Sequence, residues 1–362
     1  MQIVLDRQAL HRIPELDRDL PCTLAYLRQA LAPLRCACFS PSPDALCAYF
    51  DFGAAKTIAF RSDMDALPIE EASGLPFAST HAGQMHACGH DGHMAILLEL
   101  ARRLDAKASL PNNILLIFQP AEETTGGALE ICQSGVLAQY GVSALFGLHL
   151  WPGLPAGEIF SRPNEMMSRA SEMTVTFHGL SAHIAKPHEG RDALAAAHAF
   201  YQAVTEMEQA LPPSVYRLCR FGHMVSGTVR NAISDYSRLE GCLRAFQEET
   251  FLSLQEQVRA LAQHSAEAYG CTAEVQFSSG YPAVLNPPAL FAQVAERMPS
   301  LRLLAEPSMT SEDFSWYQHY VPALFFFLGL GDTPPLHSDH FQFDDTLLLA
   351  GADFFDRLTQ RL

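Results

Sequence analysis

One short stretch of the chain concentrates the side chains that bind transition metals. The stretch MHACGHDGH, residues 85–93, contains three histidines, a cysteine and an aspartate. Thiolate, imidazole and carboxylate groups are the ligands that zinc and related metals prefer. Gly89 and Gly92 allow a tight turn, and MAILLELARRL, which follows, is typical of a buried helix. The stretch therefore predicts a metal site where a loop meets a helix N-terminus.

A pair of adjacent glutamates is the second candidate for chemistry. Glu122 and Glu123 follow NNILLIFQPA, a predicted buried strand that ends in a proline, so simple surface exposure explains them poorly. Neighbouring side chains of an extended segment point in opposite directions. One carboxylate can therefore bind a metal while the other faces a water. Because zinc-bound water has a pKa of about 7, a nearby carboxylate can accept its proton and return it to a leaving amine.

Polar side chains end each of four predicted strands. KTIAFRSDMD ends in Asp63 and Asp65, NNILLIFQPAEE ends in the two glutamates, VSALFGLHLW contains His149, and PALFFFLGLG precedes His337. Buried strands that alternate with helices predict an α/β fold whose site lies along the strand ends. We interpret Asp65 as a carboxylate that orients a ligand histidine. Asp63 is the alternative to Asp65 for that role. His340, three residues after His337, is the alternative to His337 as the histidine of the site.

Residues between about 170 and 270 have a different pattern. Their alternating strands and two amphipathic helices occur in the order β-α-β-β-α. This order predicts a small open sheet with helices on one face, inserted between two parts of a larger domain. We therefore predict a catalytic domain over residues 1–169 and 273–362 and an inserted lid or dimerisation domain over residues 170–272.

Composition narrows the classes of function. The chain has 362 residues, of which 48% are hydrophobic and 18% charged, so it can bury two cores. The net charge of −16 argues against nucleic acid or an anionic membrane as a partner. The nine cysteines lack the regular spacing of a disulfide framework. With no secretory signal visible at the N-terminus, we expect a cytoplasmic protein.

Other catalytic motifs do not occur in the sequence. There is no HExxH helix, GxSxG elbow, phosphate-binding GxxxxGK[ST] loop or GxGxxG fingerprint. A Cys88 nucleophile with a histidine base stays an alternative, but it gives the glutamate pair no role.

Taken together, RSDMDALPIEE, MHACGHDGH, FQPAEE, GLHLWPG and PLHS resemble the amidohydrolase branch of the M20 metallopeptidase family. That branch includes hippurate hydrolases, auxin-conjugate hydrolases, aminoacylases and N-acetyldiaminopimelate deacetylases. The resemblance implies a zinc-peptidase-like catalytic domain with a mixed sheet and helices on both faces. It implies two divalent metal ions, and zinc, manganese, cobalt and nickel are the candidates for their identity. The metal-ligand positions of the family fall on Cys88, His90, Glu123, His149 and His337. The position of its catalytic acid/base falls on Glu122.

The inserted segment resembles the lid domain of that branch. In GLSAHIAKPHEG, the resemblance implies that His183 donates a hydrogen bond to the oxyanion of the tetrahedral intermediate. Such an interaction can be worth about 3 kcal/mol. Ser181 and Ala182 stand where two glycines are usual. Asn231 in GTVRNAIS is expected near the substrate carboxylate. Glu312 and Asp313 in MTSEDFSWY are candidates for lining the pocket, with a structural role as the alternative. Members of the family are monomers or dimers, so a homodimer through the lid domain stays open.

The expected activity is metal-dependent hydrolysis of the amide bond of an N-acyl amino acid, with an N-acetyl group as the first choice. SEMTVTFHG, GTVRNAISDYSRLEG and SMTSEDF are most similar to N-acetyldiaminopimelate deacetylases. Hippurate, auxin-conjugate and dipeptide substrates are alternatives within the branch. An alternative of another class is a non-catalytic protein that binds a metal or an amino acid. The adjacent glutamates speak against it, because a binding protein needs no base.

Overall fold

The computed structural model describes residues 1–362, which fold into two compact units. The first unit comprises Met1–Met166, Leu285–Glu306 and Asp313–Leu362. The second unit comprises Met167–Val284 and Pro307–Glu312. The segment predicted as an insertion, residues 170–272, falls within the second unit.

An eight-stranded mixed sheet forms the centre of the first unit. The strands, numbered in chain order through both units, are arranged β1-β2-β4-β3-β5-β14-β6-β13. They are β1 Ala37–Phe39, β2 Leu46–Phe50, β3 Thr57–Asp63, β4 Asn113–Gln119, β5 Val142–Trp151, β6 Ile159–Ser161, β13 Leu301–Leu303 and β14 Ala323–Gly329. Every residue of β3, β4 and β14 is buried, so both faces of the sheet are covered. The predicted α/β class with a mixed sheet is confirmed.

Seven α-helices accompany this sheet in the first unit. They are α1 Gln2–His11, α2 Pro21–Leu31, α3 His90–Asp105, α4 Ala128–Gln133, α5 Val136–Gln139, α8 Pro288–Arg297 and α9 Leu348–Arg361. Short 3₁₀ turns span Asp313–His319 and Asp345–Leu347. The apolar side of α3, including Met94 and Leu97, shares one buried cluster with alternate residues of β4 such as Leu116 and Phe118. Burying a side chain of this size stabilises the fold by about 1.5–3 kcal/mol.

The strand directions determine where the polar ends meet. β3 pairs in parallel with both β4 and β5, and β14 pairs in parallel with β5. Parallel strands bring their carboxyl ends to the same edge of a sheet. Asp63, Gln119 and His149 therefore lie at one edge, and the loop after Gln119 carries the two glutamates there.

The second unit contains a four-stranded antiparallel sheet in the order β11-β8-β10-β9. Its elements are β8 Arg169–His178, α6 Ala193–Ala210, β9 Arg217–Ser226, β10 Tyr236–Ala245, α7 Glu248–Ala268 and β11 Thr272–Phe277. Alternate residues of β8 (Met173, Val175 and Phe177) pack with both helices in one cluster. The predicted β-α-β-β-α order is found, and β11 adds a strand. Two further strands, β7 Asn164–Met167 and β12 Val284–Asn286, and a 3₁₀ turn, Pro187–Glu189, complete the chain. None of the helices is both long enough and apolar enough to cross a membrane.

Candidate metal centre

The five residues predicted as metal ligands come together at the carboxyl edge of the large sheet. Cys88, His90 and His149 each place one donor atom within 4.8 Å of the others. Cys88, Glu123 and His337 do the same. The Cys88 Sγ is 3.4 Å from the His149 Nε2, and the Glu123 Oε1 is 3.4 Å from the His337 Nε2 and 3.7 Å from the His90 Nε2. The two donor groups therefore overlap at Cys88.

Backbone carbonyls orient two of the histidines. The Nδ1 of His90 donates to the carbonyl oxygen of Asp65 at 2.8 Å. The Nδ1 of His149 donates to the carbonyl oxygen of Leu150 at 2.7 Å. A hydrogen bond from one ring nitrogen fixes the orientation of the ring and leaves Nε2 as the nitrogen available to a metal. Both Nε2 atoms therefore face the donor cluster as potential metal ligands.

Asp65 holds the glutamate pair in place. Its two carboxylate oxygens accept the backbone N–H groups of Glu122 and Glu123, each at 3.0 Å. The same carboxylate is 3.7 Å from the His90 Nδ1, whereas the Asp65 carbonyl is within hydrogen-bond distance. Asp65 thus orients the ligand histidine through its backbone and orients the glutamates through its side chain, a division that the sequence interpretation did not contain.

Two residues of the site have backbone angles that L-amino acids rarely adopt. Ala121, directly before the glutamates, has a φ of 58°, and His337 has a φ of 65°. A left-handed conformation costs a non-glycine residue roughly 1–2 kcal/mol. The Ala121 N–H donates to the Asp17 carbonyl at 3.1 Å, and the His337 N–H donates to the Ala87 carbonyl at 2.8 Å. Long-range contacts therefore hold strained backbone at the site, as is common where chemistry requires a particular orientation.

His340, the alternative to His337, lies elsewhere. Its ring is exposed and its Nδ1 is 2.6 Å from the Asp339 carboxylate. His337 is half exposed, at 52%, and forms the open side of the donor cluster.

The donor set fits divalent metal ions. Ligands of a tetrahedral zinc at 2.0–2.3 Å lie about 3.3–3.8 Å from one another, and the three donor distances of 3.4, 3.4 and 3.7 Å given above fall in that range. The His90 Nε2 and the Glu123 Oε1 are buried and make no hydrogen bond. A buried polar atom without a partner is costly, and a bound cation would satisfy both atoms.

The electrostatics of the site also favour a cation. Burial, together with the nearby Glu123 and Glu122, raises the pKa of the Cys88 thiol well above its usual range. Burial raises the pKa of Glu123, but His337 and His90 outweigh it and lower that pKa to about 2. Burial lowers the pKa of His149 to about 3, so its imidazole is neutral. A thiol crowded by carboxylates and a neutral imidazole form a site that a metal can complete.

A second histidine–aspartate pair lies beneath the donor cluster. The His93 Nδ1 donates to the Asp63 carboxylate at 2.6 Å, and the His93 Nε2 accepts the Leu150 N–H at 2.9 Å. The guanidinium of Arg61 donates to the same aspartate at 2.7 Å. Asp63 is thus paired with His93 rather than with a ligand histidine. Sequence reasoning included His93 only among the possible metal ligands of residues 85–93 and did not consider Arg61. The three-residue spacing of His90 and His93, one turn apart on α3, was the available signal.

Asp313 is part of a buried network of the first unit. Its carboxylate accepts hydrogen bonds from Arg61 at 2.9 Å, from the Gln119 side chain at 2.7 and 2.8 Å, and from the Ala128 N–H at 3.0 Å. It also lies within 4.8 Å of the Glu122 carboxylate. These contacts describe a structural role, the alternative considered for this residue, and we leave Asp313 out of the substrate contacts proposed below.

The remaining candidates belong to the second unit. His183 is exposed and forms an isolated antiparallel bridge with Ala232. The N–H of Ile184 donates to the carbonyl of Asn231 at 3.0 Å, so His183 and Asn231 lie on neighbouring segments. Asn231 is exposed, whereas Glu312 is buried. The second unit therefore presents His183 and Asn231 together.

Comparison with known proteins agrees with this fold and site. The profile of peptidase family M20/M25/M40 matches residues 59–361. A Staphylococcus epidermidis protein named "uncharacterized hydrolase" is 32% identical over 370 residues, which cover 98% of this chain and 97% of the relative. The Bacillus subtilis YXEP protein, described as a dinuclear metal binding peptidase from the M20 family, superposes with a TM-score of 0.85 at 29% identity and covers 100% of this chain and 98% of its own.

A more distant structure shares the fold alone. The aminobenzoyl-glutamate utilization protein from Klebsiella pneumoniae has a TM-score of 0.66 at 22% identity and covers 99% of this chain and 95% of its own. The family profile covers most of the chain, so the chain belongs to peptidase family M20/M25/M40. The protein is accordingly a metal-dependent hydrolase of that family.

Proposed function

We propose that the protein is an amidohydrolase that cleaves the amide bond of N-acyl amino acids, yielding a carboxylate and a free amino acid. In this proposal Cys88, His90, Glu123, His149 and His337 hold two divalent ions. The observation that carries it is the pair of overlapping donor groups that share Cys88. The description of the Bacillus subtilis relative as a dinuclear metal binding protein supports the number of ions.

Bound metal ions would act as Lewis acids toward the amide carbonyl and toward water. Glu122 is the base in our proposal. Its carboxylate lies within 4.8 Å of His90 and Glu123 donor atoms, and its side chain is buried. Asp65 accepts its backbone N–H, so the main chain that carries this carboxylate is fixed before substrate arrives. Glu122 would take the proton of the attacking water and deliver it to the leaving nitrogen, a transfer worth typically 10²–10⁴-fold in rate.

The substrate class rests on the sequence motifs. We propose N-acetyl amino acids, with N-acetyldiaminopimelate as the first candidate, and we assign His183 to the oxyanion and Asn231 to the substrate carboxylate. Because His183 and Asn231 lie on neighbouring segments of the second unit, both can contact the same substrate molecule in our proposal. Hippurate, auxin-conjugate and dipeptide substrates are the alternatives. We also propose a cytoplasmic location, where a reducing environment would keep the nine free cysteines reduced.

A non-catalytic binding protein, the alternative from another class, does not fit a chain of a peptidase family. It accounts for the donor cluster but gives no reason to hold a second buried carboxylate beside it. The hydrogen bonds from the backbone N–H groups of Glu122 and Glu123 to the two oxygens of Asp65 favour an enzyme, because they fix the segment that carries both carboxylates.

The test is Glu122→Gln in the metal-loaded protein, assayed on a panel of N-acetyl amino acids, N-benzoyl amino acids and dipeptides. We expect kcat to fall by about 10²–10⁴-fold while metal content by mass spectrometry stays at the wild-type value. Glu130→Gln is the matched control, because Glu130 forms a surface ion pair with Arg18, and it should leave kcat unchanged. Full activity of the Glu122→Gln variant would contradict the proposed base. A wild-type protein that binds metal but hydrolyses no member of the panel would contradict the proposed substrate class.

A further inference from the structure

Two cysteines outside the metal centre lie side by side at the edge of the large sheet. Cys36 and Cys38 flank Ala37 at the start of β1, and their sulfur atoms are 3.8 Å apart. Cys36 directly precedes β1 and Cys38 lies within it. Residues two apart along an extended segment point to the same face, which accounts for the contact. Cys38 is exposed and Cys36 is partly buried, so solvent reaches the pair.

The surroundings distinguish the two sulfurs. Cys36 is also 3.8 Å from the carbonyl oxygen of Leu31, to which its S–H donates. The contact with Cys36 lowers the pKa of Cys38 to about 7. Burial opposes this shift, and the charge of Arg28 adds to it. The contact with Cys38, together with burial, raises the pKa of Cys36. Cys38 is therefore the nucleophile of the pair, and Cys36 keeps its proton until it is needed.

The other cysteines lack this combination. Cys47 is buried and stands opposite Phe39 in the β1–β2 register, so it points to the opposite face from Cys38. Cys132 and Cys219 are buried, and burial raises the pKa of each to about 12. Cys22 is exposed, but its contact with Glu15 raises its pKa. Cys22 thus serves as an exposed single thiol for comparison.

We propose that Cys36 and Cys38 form a dithiol site that reacts with low-molecular-weight disulfides and closes reversibly into an intrachain disulfide. The Cys38 thiolate attacks one sulfur of the disulfide RSSR, forms a mixed disulfide and releases one thiolate, RS⁻, which is protonated. Cys36 then gives its proton to solvent and attacks the Cys38 sulfur, which releases the second RS⁻. Two protein thiols are oxidised by two electrons, and RSSR is reduced to two thiols.

The backbone favours a bond that is easily reversed. Two residues of an extended strand span about 6.6–6.8 Å between Cα atoms, the upper end of the range of about 4.4–6.8 Å that disulfides accept. Ring closure must therefore bend the strand. β1 has three residues and occupies one edge of the sheet, with only β2 as its neighbour, so it can bend without breaking a second set of strand pairings. A strained, exposed disulfide is readily reduced.

The rate advantage over an ordinary thiol can be calculated. At pH 7 about half of a thiol of pKa about 7 is ionised, against about one part in a hundred at the reference pKa of 9.0. The lower basicity of Cys38 reduces its intrinsic nucleophilicity by about tenfold. Cys38 should therefore react roughly fivefold faster than a thiol with the reference pKa. Its rate should exceed that of Cys22 by more than this factor, because the pKa of Cys22 is raised.

The metal-loaded protein is treated with glutathione disulfide at pH 7, quenched in acid, alkylated, digested with trypsin and analysed by mass spectrometry. The peptide after Arg35 contains Cys36, Cys38 and Cys47, and fragment ions locate the bond. We expect a Cys36–Cys38 disulfide that forms at least about fivefold faster than glutathione adds to Cys22 and that dithiothreitol reverses.

Two variants separate the steps. Cys36→Ser should stop at a stable glutathione adduct on Cys38, and Cys38→Ser should reduce the rate at the remaining thiol to that of Cys22. Separate alkylation of Cys36 and Cys38 after full exposure would overturn the proposal, as would a disulfide to Cys47 or equal behaviour of the two variants.

Discussion

Replacing Asp65 by asparagine tests whether one carboxylate positions both glutamates of the site. The change keeps the shape of the side chain but replaces one acceptor oxygen by an NH₂ group. In the native structure each oxygen accepts one N–H, from Glu122 and from Glu123. Asparagine can accept only one of them, and its NH₂ group then faces the other N–H.

The cost follows from these two contacts. A hydrogen bond to a charged acceptor contributes about 1.5–3 kcal/mol, and a buried donor left without a partner costs about 1–3 kcal/mol. Since one bond is kept in a weaker, neutral form, we expect Asp65→Asn to lower the free energy of unfolding by about 2–4 kcal/mol. A domain that is stable by about 5–15 kcal/mol still folds after such a loss.

The effect on activity should be larger than stability alone explains. A shift of about 1 Å in a catalytic group can cost about 10²-fold in rate, and the freed loop carries both Glu122 and Glu123. We expect kcat to fall by about 10²-fold at temperatures where the variant is fully folded. Urea unfolding, steady-state kinetics and metal content by mass spectrometry measure the three quantities on one preparation. Asp51→Asn is the control, because the exposed Asp51 caps the Gly53 N–H at 2.8 Å far from this loop, and it should leave kcat unchanged.

An Asp65→Asn variant with wild-type kcat and a destabilised fold would refute the positioning role. Loss of metal in proportion to activity would assign the effect to the ligand Glu123 rather than to the base. Normal metal content with low kcat is the result we expect.

Two further predictions follow from other contacts. Burial lowers the pKa of His11, but its hydrogen bond to Asp91 and the acidic groups around it outweigh burial and raise the pKa. The stabilisation is therefore complete below the unfolded pKa of 6.5 and is lost as pH rises through the folded pKa. His11→Gln should reduce the decline in unfolding free energy as pH rises above 6.5, measured by urea denaturation in one metal state; an unchanged slope would contradict the assignment. A Cβ at Gly127 would lie 2.2 Å from the Pro120 carbonyl oxygen, so Gly127→Ala should displace the loop with the glutamates, lower the unfolding free energy by about 1–3 kcal/mol and reduce kcat. Gly222→Ala, where no atom lies within 4 Å, should change neither quantity, and equal effects of the two variants would exclude the steric explanation.

Much of the large sheet could be predicted from local patterns. Apolar runs that end in Asp63, in Glu122 and near His149 correspond to β3, to the end of β4 with its loop, and to β5. These predictions succeeded because a strand buried on both faces needs a continuous apolar run, which is visible without any partner. The N-terminal region was harder to predict. In the sequence, Pro21 interrupts the helix-like run LHRIPELDRDLPCTLAYLRQAL, but in the structure Pro21 begins α2, as proline does at a first helical position.

The sequence by itself determined which kinds of atoms the site can offer: one thiolate, several imidazoles and two adjacent carboxylates at strand ends. Only the tertiary structure decided how they are used. It assigned the Asp65 carboxylate to the glutamate N–H groups, paired Asp63 with His93, and put Ala121 and His337 into left-handed backbone. The physical reason is that residue type is a local property, whereas a hydrogen-bond partner or a strained φ is chosen by segments that are distant in sequence and become neighbours only when the sheet has formed.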